Sequence, residues 1–215
     1  MKAEKEEMSV KQEERRQMTI GRLLDATKAL IREKGCASIT MNDIMDRSKL
    51  SKGAIFHHVR SKDEIFAWVL HERLEETDKR FTAEAEREVK TFEGPLGKIA
   101  EDFAALEDGE DVTNKVLAYL LGKDGDPAVG EALGRYYEQT ARFSKQWIRS
   151  GQRHGVIPET VDAGKMGDLF VLISLGLSVR STIPHVSADF TAPDFTAVIR
   201  SLLQPQTSLR GEDNR

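Results

Sequence analysis

The chain has very little cysteine: one residue, Cys36, in 215. A single thiol cannot close an internal disulfide, which fits a reducing compartment and points to the cytoplasm. Cys36 follows Gly35 at the end of a helical pattern, with no basic neighbourhood to activate it, so it reads as a small, half-buried side chain. Long apolar runs are also missing. The longest, Leu169 to Leu177, is interrupted by Ser174 and Gly176 and flanked by Asp168 and Arg180, too short to span a bilayer, so no membrane partner is expected. Met1 to Arg16 is charged throughout, so no secretory leader is expected there.

Catalytic signatures are absent as well. The five histidines (His57, His58, His71, His154 and His185) include no H-E-x-x-H pair, and there is no G-x-S-x-G, phosphate loop or dinucleotide fingerprint. No enzyme activity, metal or cofactor is expected. No segment alternates polar and apolar residues as a half-buried strand does, and no internal repeat is visible. With 39% hydrophobic and 32% charged residues, the chain has enough apolar material for a core and suits a fold rich in surface helix. The expectation is an all-α protein.

The net charge of -4 is unevenly distributed. From Arg15 to Lys62 there are eleven Lys and Arg against four Asp and Glu, so the rest of the chain carries -11. A basic module on an acidic body draws a polyanion to one end only.

The basic segment has its own punctuation. Residues 1–14 read as a mixed-charge, disordered tail. Ile20, Leu23, Leu24, Thr27, Leu30 and Ile31 recur at helical spacing, and Gly35 ends that helix. Thr40 to Asp43 resembles a capping box, opening a short helix with Ile44 and Met45 inward. Lys49, Leu50 and Ser51 make a turn, and Ser51 caps a second short helix from Lys52 to about Val59. Ser61 to Glu64 is a full capping box at the start of a long helix.

A short helix, a three-residue turn and a second short helix can set one helix in the major groove of DNA. Leu50, Ile55 and Val59 hold the second helix to the core, which leaves Lys52, Gly53, Ala54, His57 and His58 outside. Gly53 and Ala54 let the backbone approach closely, and Lys52 reaches a base edge or a phosphate. Thr40, Ser51, His57, His58 and Lys62 are placed to meet phosphate oxygens. The rival reading is a three-helix bundle with a merely solvated polar face, or one that binds another protein.

Thr40, Ile44, Leu50-Ser51-Lys52-Gly53, Phe56-His57-His58 and Ser61-Lys62, after an amphipathic helix ending in Gly35, resemble the N-terminal domain of the TetR family of bacterial repressors. Gly155 to Pro158, Val161-Asp162 and the apolar helix with Gly176-Leu177 resemble the family's penultimate region. The resemblance implies a helix-turn-helix domain at residues 15–62. It also implies a larger helical effector-binding and dimerisation domain at residues 63–204, with residues 205–215 a flexible tail. Two departures stand out. Lys49 occupies a turn position where the family often has glycine, and Phe56 replaces a tyrosine whose hydroxyl commonly meets phosphate in relatives.

The resemblance further implies an effector pocket between about Leu96 and Phe170. Phe103, Tyr119, Tyr136, Tyr137, Phe143, Trp147 and Phe170 are the candidates there, and they favour an apolar or aromatic small molecule. The helix from Ala163 to Thr182 is apolar nearly all round, so it is buried on more than one side. Leu172, Leu175, Gly176 and Val179 on this helix, with Phe195, Val198 and Leu202 on the last one, are the expected homodimer interface. The partners expected are therefore a palindrome-like double-stranded operator, a small-molecule effector and a second copy of the chain.

Overall fold

The computed structural model describes residues 2–85, 91–123 and 125–204 and contains only helices as regular structure among them. In chain order these are α1 (Lys2–Ser38), α2 (Met41–Ser48), α3 (Lys52–Phe56), α4 (Lys62–Ala85) and α5 (Glu93–Leu106). They continue with α6 (Val112–Leu121), α7 (Pro127–Arg153), α8 (Ala163–Ser181) and α9 (Ala192–Leu203). The all-α expectation holds. None of the described helices is long and apolar enough to cross a membrane.

α1 starts at Lys2, so residues 2–14 are helical where a disordered tail is expected from composition. The stretch is rich in Lys, Glu and Gln, all good helix formers, and contains no proline or glycine before Gly21. Gly35 interrupts α1 with φ 72° and ψ 159°, backbone angles that only glycine adopts without strain. Residues 205–215, expected as a flexible tail, lie outside the described residues.

The chain divides into two compact units, and the division does not fall at residue 62. The first unit comprises Met1–Arg73 and Gly109–Tyr136, so it joins α6 to the N-terminal helices. It buries Leu23, Leu30, Ile31, Ile39, Ile44, Ile55, Ile65, Phe66 and Leu70 to 2% exposure or less. Phe66 meets Tyr119 of α6 edge-on, with ring centroids 5.4 Å apart, and this ring pair brings α6 into the unit. The buried Thr27 hydroxyl donates to the Leu23 carbonyl over 2.7 Å, which satisfies a polar group inside the core.

The second unit comprises Leu74–Asp108 and Tyr137–Arg215. Its core is built on Phe92, Leu96, Trp147, Ile148, Phe170, Leu177, Phe195 and Ile199. Phe195 stacks on Phe103 at 4.5 Å and meets Phe170 edge-on at 6.0 Å. Between α7 and α8, Gly155 turns the chain at φ 69° and its amide donates to Gln152. The Gln152 side chain then holds the loop through the Val161 carbonyl at 2.8 Å. Asp162 caps α8 by accepting from the Lys165 amide.

Candidate nucleic-acid interface and apolar cavity

α2 begins with a complete capping box. Thr40 accepts from the Asp43 amide, and the Asp43 carboxylate accepts from the Thr40 amide at 2.8 Å and the Thr40 hydroxyl at 2.7 Å. The ammonium of Lys34, 2.7 Å away, and these Thr40 bonds hold the Asp43 carboxyl far below its ordinary range. Arg47 grips Glu33 through two bonds of 2.8 and 2.7 Å, and that guanidinium holds the Glu33 carboxyl below its ordinary range. Both ion pairs fasten α2 to α1.

The turn is made by Lys49 in the left-handed conformation, φ 57° and ψ 31°, at the C-cap of α2. The chain therefore bends without the glycine that relatives often use and bears the strain of a β-carbon there. Arg22 of α1 reaches the same corner, with Nη2 donating to the Ser48 carbonyl at 2.7 Å. Ser51 then caps α3 by accepting from the Ala54 amide at 3.2 Å.

α3 is short and held to the core by one fully buried side chain, Ile55, with Val59 just beyond its end. Thr40, Ser51, Lys52, Gly53, Phe56 and His57 are exposed, and Ala54 and His58 are half-buried. Phe56 is 41% exposed, unusual for a large apolar ring, with the Lys52 ammonium 5.7 Å from its centre. His57 and His58 meet edge-on at 5.0 Å. Burial, followed by the nearby His57 and Arg16 charges, lowers the His58 imidazole below its ordinary value of 6.5.

Lys62 is placed differently from its expected role. Its side chain is half-buried, and Nζ donates to the carbonyls of Cys36 (3.2 Å), Ala37 (3.2 Å) and Ile39 (2.7 Å) at the end of α1. The capping of α4 also differs: Ser61 accepts from the Glu64 amide, but Glu64 reaches back to the Arg60 amide rather than that of Ser61. Cys36 is buried, and burial pushes its thiol up to about 11, which leaves almost no thiolate near neutrality. Arg22 and Arg16 escape a reading by sequence pattern, because they act through partners more than 25 residues away.

The second unit contains a cavity of about 150 Å³. Phe103, Phe143, Trp147 and Phe170 line it, as expected. Tyr119, Tyr136 and Tyr137 do not. Tyr119 packs on Phe66 and lies under the Lys62 and Lys123 ammoniums, all within the first unit. Tyr136 also belongs to the first unit, where burial pushes its hydroxyl up to about 12. Tyr137 is half-buried outside the lining. The rest of the wall (Leu74, Thr77, Asp78, Ile99, Asp102, Thr140, Ser144, Ser174 and Ile199) comes from helices that are distant in sequence.

On α8 and α9, Leu172 is 59% exposed and Gly176 is exposed, while Leu175, Val179, Val198 and Leu202 are half-buried. Phe195 is a correction: it is fully buried between Phe103 and Phe170 and has no surface to offer a second chain.

Residues 23–69 match the model of the bacterial regulatory proteins, tetR family. The HTH-type transcriptional regulator CymR of Pseudomonas putida is 31% identical over 132 residues, which is 60% of this chain and 62% of that protein, under two thirds of the relative's length. Among solved structures, Salmonella enterica GusR is similar with a TM-score of 0.63 and 22% identity, over 86% of this chain and 95% of that one. A SmeT–triclosan complex is similar with a TM-score of 0.59 and 18% identity, over 78% of this chain and 81% of that one. At these identities the two structures speak for the fold alone. The helix-turn-helix geometry and the family match across it identify residues 23–69 as the N-terminal domain of the bacterial regulatory proteins of the tetR family, and the chain shares its helical fold with these solved structures.

Proposed function

We propose that this chain is a DNA-binding transcriptional regulator, a repressor that a small-molecule effector releases from a palindrome-like operator. The observation that carries the reading is α3. It is anchored by Ile55 and presents Lys52, Gly53, Phe56 and His57 to solvent, at the most positive end of the sequence. A helix so held enters the major groove, with Lys52 reaching a base edge or a phosphate and Thr40, Ser51 and His57 meeting the backbone. Gly53 has open space around its α-carbon, which favours close approach of the duplex.

The exposed Leu172 and Gly176, with their half-buried neighbours on α8 and α9, support a homodimer through these helices. A two-fold dimer sets its two reading helices about 34–36 Å apart, or a multiple of that, matching half-sites on one face of DNA. The aromatic cavity of the second unit supports an apolar or aromatic effector. For release to work, the effector must bind the operator-competent and operator-incompetent shapes with different affinity. A regulator of this kind works where the chromosome is, in the cytoplasm, and needs no catalytic group.

The test is fluorescence anisotropy with the duplex upstream of the protein's own gene, over a series of salt concentrations. The expected result is saturable binding with a steep negative salt slope, roughly one unit shallower for Lys52→Ala. Binding that ignores salt, or that Lys52→Ala leaves untouched in slope and affinity, overturns the reading.

A further inference from the structure

We propose that the cavity of the second unit receives a small aromatic cation, a single ring carrying an ammonium group, and that Asp78 is the residue that selects it. The inference rests on reading this cavity as the effector site. A cavity of about 150 Å³ walled by Phe103, Phe143, Trp147 and Phe170 has room for one ring. An apolar cavity of similar size, on the order of 150 Å³, accepts benzene in another protein.

The polar part of the wall is one-sided. No Lys, Arg or His lines the cavity, and its charged residues are Asp78 and Asp102. Asp102 is already balanced, since its Oδ1 lies 2.8 Å from Nη2 of Arg80. Asp78 is half-buried on the same face of α4 as the buried Leu74, and among the described residues it has no hydrogen-bond or ion-pair partner. A partly desolvated carboxylate facing aromatic rings lacks the partner that such a group requires. The hydroxyls point the same way. Ser174 donates to the Phe170 carbonyl at 2.8 Å and Ser144 to the Thr140 carbonyl at 3.2 Å, so both protons are engaged within their own helices. What these two hydroxyls and Asp78 hold out to a ligand is lone pairs. The matching guest is a donor with positive charge, and the ring faces add cation–π attraction. A carboxylate guest of equal size would meet the like charge of Asp78 and no Lys, Arg or His to offset it.

The test is isothermal titration calorimetry on the full chain with three probes of similar size: 2-phenylethylammonium, neutral 2-phenylethanol and 3-phenylpropionate. Wild type is expected to bind the cation roughly tenfold tighter than the alcohol, and the anion weakest. Asp78→Asn, close to isosteric, is expected to lose that preference while keeping its affinity for the alcohol, which also reports an intact cavity. The proposal is overturned if 3-phenylpropionate binds as tightly as the cation, or if Asp78→Asn keeps the preference. Adding operator DNA separates the two readings. An Asp78-dependent cation that leaves DNA binding unchanged supports this site and overturns the effector role. Release by the anion or the alcohol with no preference for the cation supports the effector role and overturns this site.

Discussion

The ammonium of Lys62 lies 2.7 Å from the carbonyl oxygen of Ile39, and the two other carbonyls it meets belong to Cys36 and Ala37. A lysine has three N–H donors, and here all three point at the end of α1. The same ammonium sits 5.9 Å from the Phe66 ring centre and 5.3 Å from that of Tyr119. Lys62 therefore joins α1, α4 and α6 and has no proton left for a phosphate. Lys62→Met is expected to destabilise the protein by about 2 kcal/mol, since a hydrogen bond to a charged donor contributes roughly 1.5–3 kcal/mol. It is also expected to leave the salt slope of DNA binding unchanged, whereas Lys52→Ala lowers it by about one. Urea unfolding and anisotropy at several salt concentrations check both. A slope that falls for Lys62→Met would return this lysine to the phosphate contacts.

Lys49 gives a prediction with the opposite sign. A side chain in the left-handed region costs roughly 1–2 kcal/mol, and Lys49 sits there with Arg22 and Ser51 fixing the chain on either side. Glycine removes the strain but adds about 0.4–1 kcal/mol of unfolded-state entropy. Lys49→Gly is therefore expected to stabilise by about 0.5–1 kcal/mol, raising the thermal midpoint by roughly 1–4 °C. A lower midpoint would mean that the Lys49 side chain makes contacts that outweigh its backbone strain.

Legibility in the sequence follows the range of the interaction. The Thr40–Asp43 box, the Ser51 cap and the Gly35 break each act within three or four residues, so pattern alone locates them. The inward turn of Lys62 depends on carbonyls 23 to 26 residues away, and nothing in a capping pattern distinguishes it from a lysine facing DNA. Phe195 has the helical spacing of a surface stripe, but Phe103 and Phe170 close over it from two other helices. The aromatic half of the cavity is visible as a composition of large rings. Its selective half, Asp78 with the inward lone pairs of Ser144 and Ser174, arises only once distant helices meet. The family resemblance locates the reading helix well but says nothing of which unit α6 joins.

His58 makes stability depend on pH. Burial, then His57, then Arg16 hold its folded-state value below the ordinary 6.5. Protonation therefore favours the unfolded chain. The contribution is fully present above 6.5 and is lost as pH falls from there toward the lower folded-state value. The wild-type urea midpoint is expected to drop between pH 7.5 and pH 5.5, and that of His58→Gln to drop less. Equal drops in the two proteins would show that other groups carry the effect.

Glu107, at the C-terminus of α5, holds two helices of the second unit. Its Oε1 accepts from Arg180 Nη2 of α8, and its Oε2 from the Ala192 amide that opens α9, both at 2.8 Å. The carboxylate also lies at the positive end of α9. Glu107→Ala leaves a half-buried guanidinium and a helix amide without this partner, an expected loss of about 1–3 kcal/mol. Glu107→Gln retains one acceptor oxygen and is expected to fall between the two. An unfolding midpoint for Glu107→Ala equal to wild type would show that water replaces both bonds at no cost.

Phe56 offers a gain of function. The ring is 41% exposed on the outer face of α3, beside Lys52, where the TetR resemblance places a tyrosine whose hydroxyl meets phosphate. Phe56→Tyr adds that hydroxyl at a solvated position, so stability should not change. One hydrogen bond to a charged oxygen, less the cost of desolvating the hydroxyl, corresponds to roughly three- to tenfold tighter operator binding. Because the new group is neutral, it displaces no counterion, and the salt slope should match wild type. Titration of both proteins against the same duplex at one salt concentration reads the affinity, and the series reads the slope. Unchanged or weaker binding would mean that the Phe56 ring edge does not face a phosphate, and that α3 sits in the groove at another angle than in relatives with tyrosine.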